Sequence, residues 1–134
     1  MEKKKKVLLL DDEGIIRDLL QEVLEGNGYE VITSGSPGVT AIKAYKAHAI
    51  VLDLHMSRSN EKEGLNVLIH LWEDEQFITP IIIFSAYAGF EETINEITKI
   101  EKNYGNGRKV FASISKADGI ATFLKTINDL FGNQ

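Results

Sequence analysis

Four polar positions in this chain stand immediately after short apolar runs: the pair Asp11-Asp12, then Asp53, Ser85 and Lys116. A lone aspartate in such a place usually caps the helix that follows. Three carboxylates brought to one crevice are another matter, because they repel one another unless one is protonated or a cation sits among them. The chain has no cysteine and no histidine pair at ligand spacing, so the donors are hard oxygens, and they suit Mg²⁺ ahead of zinc. Mg²⁺ usually keeps several waters and completes its shell with a phosphate. A carboxylate can itself be the nucleophile: aspartate attack on phosphorus gives an acyl phosphate, while metal and lysine neutralise the charge on the phosphoryl oxygens. In that chemistry Asp53 is the candidate acceptor, Lys116 the fixed positive charge, and the Ser85 hydroxyl a hydrogen-bond donor to one phosphoryl oxygen.

The elements that must bring these residues together are written in the hydrophobic pattern. Runs of strand length fall at Lys6–Leu10, Glu30–Thr33, Ala49–Leu54, Ile81–Ser85 and Val110–Ser115. Between them apolar residues recur at helical spacing. Ile15, Ile16, Leu19, Leu20, Val23 and Leu24 mark a first helix, stopped by Gly26 and Gly28. Val39, Ile42 and Tyr45 mark a second helix after Pro37, and Leu65, Leu68, Ile69 and Trp72 a third, in which Trp72 is expected in the core. Phe90, Ile94, Ile97 and Ile100 mark a fourth, followed at Lys102–Arg108 by a helix stop and a flexible turn; Phe123, Leu124, Ile127, Leu130 and Phe131 mark a fifth. The central runs I-V-L-D-L and I-I-I-F are apolar on both faces, as strands covered on two sides must be. Right-handed crossovers then predict an α/β, flavodoxin-like, doubly wound five-stranded parallel sheet of order 2-1-3-4-5 with five helices, and ligands in such folds sit at the carboxyl ends of the strands.

Composition narrows the function. With 134 residues, 43% of them hydrophobic, the chain reads as one domain with a core large enough to need no staple. Fifteen basic against 20 acidic residues give a formal charge of −5, which argues against direct binding of nucleic acid. Lys3 to Lys6 form the one basic run and read as a solvated lead that keeps the first strand soluble, with a membrane or nucleic-acid contact as the alternative. The apolar run after them is too short for a secretory signal, and no window approaches a membrane span, so no membrane contact and a cytoplasmic location are expected. His48, His55 and His70 share no helical face and are not expected to form a metal site.

The ordered set L-L-L-D-D-E at 8–13, V-L-D-L-H-M at 51–56, Gly64-Leu65, F-S-A at 84–86 and S-K-A-D-G at 115–119 resembles the receiver domain of two-component response regulators, of the single-domain chemotaxis type. The resemblance covers essentially the whole chain, residues 1–134. It implies that Asp53 receives a phosphoryl group from a histidine kinase or phosphotransfer protein. It further implies that Asp11, Asp12, Asp53 and the backbone carbonyl of His55 hold Mg²⁺, and that Ser85 and Lys116 are the switch hydroxyl and lysine. The protein would then be no enzyme on external substrates, but a phosphoacceptor that assists its own phosphorylation and dephosphorylation. It would act by switching partners near the fourth helix, fifth strand and fifth helix, with dimerisation among the outputs.

Several residues depart from the family pattern. Ser57 stands where proline is usual, and Ser57–Glu63 is longer than usual, read as a solvated bulge with a partner contact as the alternative. Ala117 replaces the proline after the lysine; a cis bond without proline would cost about 3 kcal/mol, which predicts a trans bond and a differently aimed Lys116. Ser113 occupies the place of the usual aromatic reporter, and Phe111, on the same side of the strand, is expected in the core. These departures keep a second reading open, a pseudo-receiver scaffold. A third, a metal-dependent aspartyl-phosphate phosphohydrolase, lacks the D-x-D spacing and cap domain that those enzymes use. In receivers the side chain two residues after the acceptor sets how water reaches the acyl phosphate; His55 holds that place and Tyr87 the comparable one after Ser85. Bulky groups at both predict slow dephosphorylation: phospho-Asp53 should outlive that of a His55→Ala/Tyr87→Ala variant in a phosphate-release assay, and a shorter lifetime would contradict this.

Overall fold

The computed structural model describes residues 3–11, 13–34, 38–54 and 63–132. The order is β1 (Lys6–Leu10), α1 (Gly14–Gly26), β2 (Glu30–Ser34), α2 (Val39–Ala44), β3 (Ala49–Leu52), α3 (Glu63–Trp72), β4 (Ile81–Ser85), α4 (Glu91–Tyr104), β5 (Ala112–Ser115), a 3₁₀ turn (Lys116–Asp118) and α5 (Gly119–Phe131). All strand pairs are parallel, and the sheet runs β2-β1-β3-β4-β5, as the alternation predicts.

Successive residues of a strand point to opposite faces, and here each set feeds its own core. Leu8, Leu10, Ile50, Leu52, Ile81 and Ile83 pack with α3 and with Ile97 and Ile100 of α4. Val7, Leu9, Val51, Ile82, Phe84 and Ile114 pack on the other face with Leu20 and Leu24 of α1 and Phe123 and Ile127 of α5. Because β1, β3 and β4 are covered on both sides, their apolar runs are continuous. Trp72 is in the core at 3% exposure, as expected. Lys3–Lys5 are exposed.

Helix α3 starts against the strand end that carries Asp53. A Cβ at Gly64 would lie 2.5 Å from both the Asp53 carbonyl oxygen and the Leu54 Cα, so only glycine permits this approach, and its amide donates to the Leu54 carbonyl at 3.1 Å.

Three local expectations are corrected. β3 ends at Leu52 and β5 begins at Ala112. Just before β5 the Val110 amide donates to Glu101 Oε2 at 3.0 Å and the Phe111 amide to the Ile81 carbonyl at 2.8 Å. The Phe111 side chain is 46% exposed and not in the core. The segment after α4 is also not a loose turn. Asn106 and Gly107 adopt positive φ, and Arg108 fastens the turn with hydrogen bonds to five backbone carbonyls: Trp72 (2.6 Å), Asp74 (2.8 Å), Phe77 (2.7 Å), Tyr104 (3.1 Å) and Gly105 (2.7 Å). Its guanidinium also lies 5.9 Å from the centre of the Trp72 ring, within cation–π range.

A fork of five donors matched to five carbonyls has no substitute in an ammonium. Arg108→Met should lower unfolding stability by about 3 kcal/mol, and Arg108→Lys should recover little of it, as read from urea denaturation.

Candidate functional site

The strands deliver Asp11, Asp53, Ser85 and Lys116 to one edge of the sheet. Asp11 follows β1, Asp53 follows β3, Ser85 ends β4 and Lys116 opens the turn after β5. Asp11, Asp53 and Ser85 are buried, at 3%, 2% and 0% exposure. The Lys116 ammonium joins them: its Nζ lies 3.0 Å from Asp11 Oδ2, 3.1 Å from Asp53 Oδ2 and 3.0 Å from Glu13 Oε1.

Backbone contacts fix the carboxylates. Asp11 Oδ1 accepts from the Glu13 amide at 2.9 Å, and Arg17 Nη1 donates to the Asp11 carbonyl at 3.1 Å. The Asp53 amide donates to the Leu10 carbonyl at 3.0 Å, which locks the Asp53 backbone to the end of β1. Ser85 Oγ accepts from the Tyr87 amide at 3.3 Å, leaving the hydroxyl proton to donate.

Burial pushes the Asp11 carboxyl up; the Glu13 amide opposes this, the charge of Asp53 adds to it, and the outcome is a pKa of about 6. Burial alone would depress the Lys116 ammonium, but hydrogen bonds to Glu13 and Asp11 and the charges of Asp53 and Asp11 outweigh it and hold Lys116 above its ordinary value. The crevice is thus short of positive charge even with the lysine in place. Its donor set is all oxygen: Asp11, Glu13 and Asp53 each offer a carboxylate oxygen, all within 4.8 Å of one another. That composition fits a hard divalent cation such as Mg²⁺. Asp12 and His55, expected to complete the set, lie outside the described residues, as does the segment Ser57–Lys62.

The Lys116–Ala117 bond is trans, as expected without proline, yet Lys116 is not aimed elsewhere: its side chain points into the carboxylates. Ser113 is exposed on β5. Tyr87, 39% exposed, stands edge-on to Phe90 with ring centres 5.4 Å apart.

Glu13 is the residue that the sequence reading missed. The sequence offers it only as the last letter of the motif L-L-L-D-D-E, although its i, i+2 relation to Asp11 across a strand end allows both to face the crevice. The histidines contribute nothing to this edge among the described residues. His48 Nδ1 accepts from the Lys6 amide at 2.9 Å, and His70 Nδ1 lies 2.8 Å from Glu73 Oε1.

Comparison with known proteins gives the following. The family model of the response regulator receiver domain matches residues 7–104. A protein-glutamate methylesterase/protein-glutamine glutaminase of Hahella chejuensis is 28% identical over 98 residues, covering 71% of this chain and 27% of that protein. The chain thus spans about a quarter of that relative's length. The receiver domain of the Francisella response regulator 1452 superposes with a TM-score of 0.75 at 23% identity, covering 96% of this chain and 98% of the other. Vibrio cholerae chemotaxis protein CheY4 superposes with a TM-score of 0.73 at 23% identity, covering 94% and 98%.

A carboxyl whose pKa rises on folding destabilises the fold once it ionises. In ion-free protein Asp11 contributes most below its unfolded value of 3.8, and that stability is lost as pH rises through about 6. With a chelator at pH 7.5, Asp11→Asn should therefore raise unfolding stability by on the order of 2 kcal/mol. The gap to wild type should close as pH falls to about 4, measured by urea titration at each pH.

Proposed function

Because the chain belongs to the response regulator receiver domain family, we propose that it is a phosphoacceptor of two-component signalling. In this reading Asp53 takes a phosphoryl group from a histidine kinase or phosphotransfer protein, and residues 1–134 work as a single receiver domain. The observation that carries it is the Lys116 ammonium 3.1 Å from Asp53 Oδ2, in a crevice that also buries Asp11.

An oxygen of Asp53 attacks phosphorus while the bond from phosphorus to the donor breaks, leaving an acyl phosphate on the carboxylate. Lys116 neutralises charge on the phosphoryl oxygens, and Ser85 donates its hydroxyl proton to one of them. Asp11, Asp12, Asp53 and the His55 carbonyl would hold Mg²⁺, which when bound supplies the remaining positive charge. Water later releases inorganic phosphate and restores the carboxylate, so the protein assists its own two reactions and transforms no external substrate.

Phosphorylation adds close to two negative charges and new acceptor oxygens, which draw on Ser85 and bias a two-state surface. The surface that answers is α4, β5 and α5, where exposed Phe90, Ile94 and Phe111 offer apolar contact to a downstream protein or a second copy. A cytoplasmic location fits the cysteine-free, acidic chain, and no helix among the described residues is long and apolar enough to cross a membrane.

Incubation with Mg²⁺ and acetyl phosphate should add one phosphoryl group by mass spectrometry. Asp53→Asn should abolish the gain, and Lys116→Ala should slow it by about tenfold or more. Mass is the direct readout because Trp72 closes α3 about 12 Å along the helix from Gly64. No gain with the wild-type chain would favour the pseudo-receiver reading, and sustained turnover of a phosphate ester would favour the phosphohydrolase.

A further inference from the structure

A lysine ammonium has three donors, and all three of those on Lys116 have carboxylate partners. These partners are unequal. The Asp11 and Asp53 side chains are almost sealed, at 5% and 2% exposure, whereas that of Glu13 is 58% exposed. An ion pair with so exposed a carboxylate contributes at most about 1 kcal/mol to stability, so the Glu13 contact is not a device for holding the fold together.

Its geometry suggests another use. Glu13 is the residue before α1, where a side chain would ordinarily turn to the first helical amides, yet it makes no capping hydrogen bond. Its backbone is fixed instead: the amide donates to Asp11 Oδ1 at 2.9 Å and the carbonyl accepts from the Arg17 amide at 2.9 Å. From that fixed point the side chain reaches Lys116, 103 residues away in sequence. Lys116 itself sits in a short 3₁₀ turn followed by alanine, tied locally by the Ala117 amide donating to Ser115 Oγ at 3.2 Å. The direction of the lysine side chain is therefore set by what its ammonium touches.

We infer that Glu13 is the positioning residue for Lys116. When a divalent cation and the arriving phosphoryl group draw Asp11 and Asp53 away, Glu13 keeps its hold on the ammonium and aims the other two donors at the phosphoryl oxygens. The inference rests on Asp53 as the phosphoacceptor and assigns to Glu13 an action through the lysine, not on the cation.

The test compares wild type, Glu13→Ala, Lys116→Ala and the double variant with Mg²⁺ and acetyl phosphate. Glu13→Ala should lower the maximal rate of phosphorylation by about fivefold while half-saturation by acetyl phosphate changes less than about twofold. Mg²⁺ affinity, followed by amide chemical shifts without any phosphodonor, should also stay within about twofold, and the double variant should lose no more than Lys116→Ala alone. Losses that multiply in the double variant, an unchanged rate in Glu13→Ala, or Mg²⁺ affinity weakened about tenfold would overturn the assignment, the last by making Glu13 a metal ligand. A second measurement needs no phosphorylation. With Mg²⁺ alone, the nitrogen resonance of the Lys116 ammonium should be ordered in wild type and averaged in Glu13→Gln. A resonance equally ordered in both would overturn the inference, whereas a wild-type chain that takes no phosphoryl group but shows the expected contrast would overturn only the phosphoacceptor reading.

Discussion

One ammonium answering three carboxylates is the interaction on which the carboxyl edge of this sheet depends. Asp11 and Asp53 are brought side by side because β1 and β3 are neighbours, and burial leaves them little water to spread their charge. Lys116 arrives from β5, two strands from β3. At about 4.8 Å per strand that gap is close to 10 Å, so only a long, flexible side chain can carry a charge across it. Strand order thus dictates residue type: a short side chain suffices at the ends of β1 and β3, and a lysine is required at the end of β5. The raised Asp11 carboxyl follows from this arrangement, first because it is buried and then because Asp53 stands beside it.

Much of this was legible in the sequence, for reasons that belong to particular residues. Lys6–Leu10 and Ile81–Ser85 coincide with β1 and β4 because strands buried on both faces leave no polar position to blur the run. Asp11, Asp53 and Ser85 were visible because each ends such a run, Lys116 because it follows the shorter, mixed run of β5, and a parallel sheet collects those ends on one edge. What escaped depends on contacts that no local pattern encodes. Glu13 looks like any acid ahead of a helix, and its importance lies in a lysine on the far side of the chain. Arg108 reads in sequence as part of a flexible turn because its hydrogen-bond partners are backbone carbonyls, which leave no side-chain signature. The apolar stripe of α1 is wider in sequence than in space: Leu20 and Leu24 are buried, while Ile15 is 85% and Leu19 41% exposed.

The same edge shows how backbone and side chain divide the work. Gly64 lets α3 begin in contact with the Asp53 and Leu54 backbone, and the Asp53 amide is held by Leu10. Asp53 is therefore clamped from the strand on one side and the helix on the other, while its carboxylate meets the Lys116 ammonium at 3.1 Å. The fold thus holds the Asp53 backbone independently of whatever its side chain pairs with.

The opposite end of the molecule has its own asymmetry. The buried residues of α4 are Ile97, at its middle, and Ile100, toward the Arg108 fastening, whereas Phe90 and Ile94 at the other end are 57% and 48% exposed. A rod fixed at one tip answers a push by tilting about that tip, and the displacement grows with distance from it. For α4, with 14 residues at about 1.5 Å each, the lever arm is about 20 Å. The end that travels furthest is the one joined to the loop after Ser85. Any displacement of that end would therefore be larger than at Tyr104 and Gly105, whose carbonyls Arg108 holds.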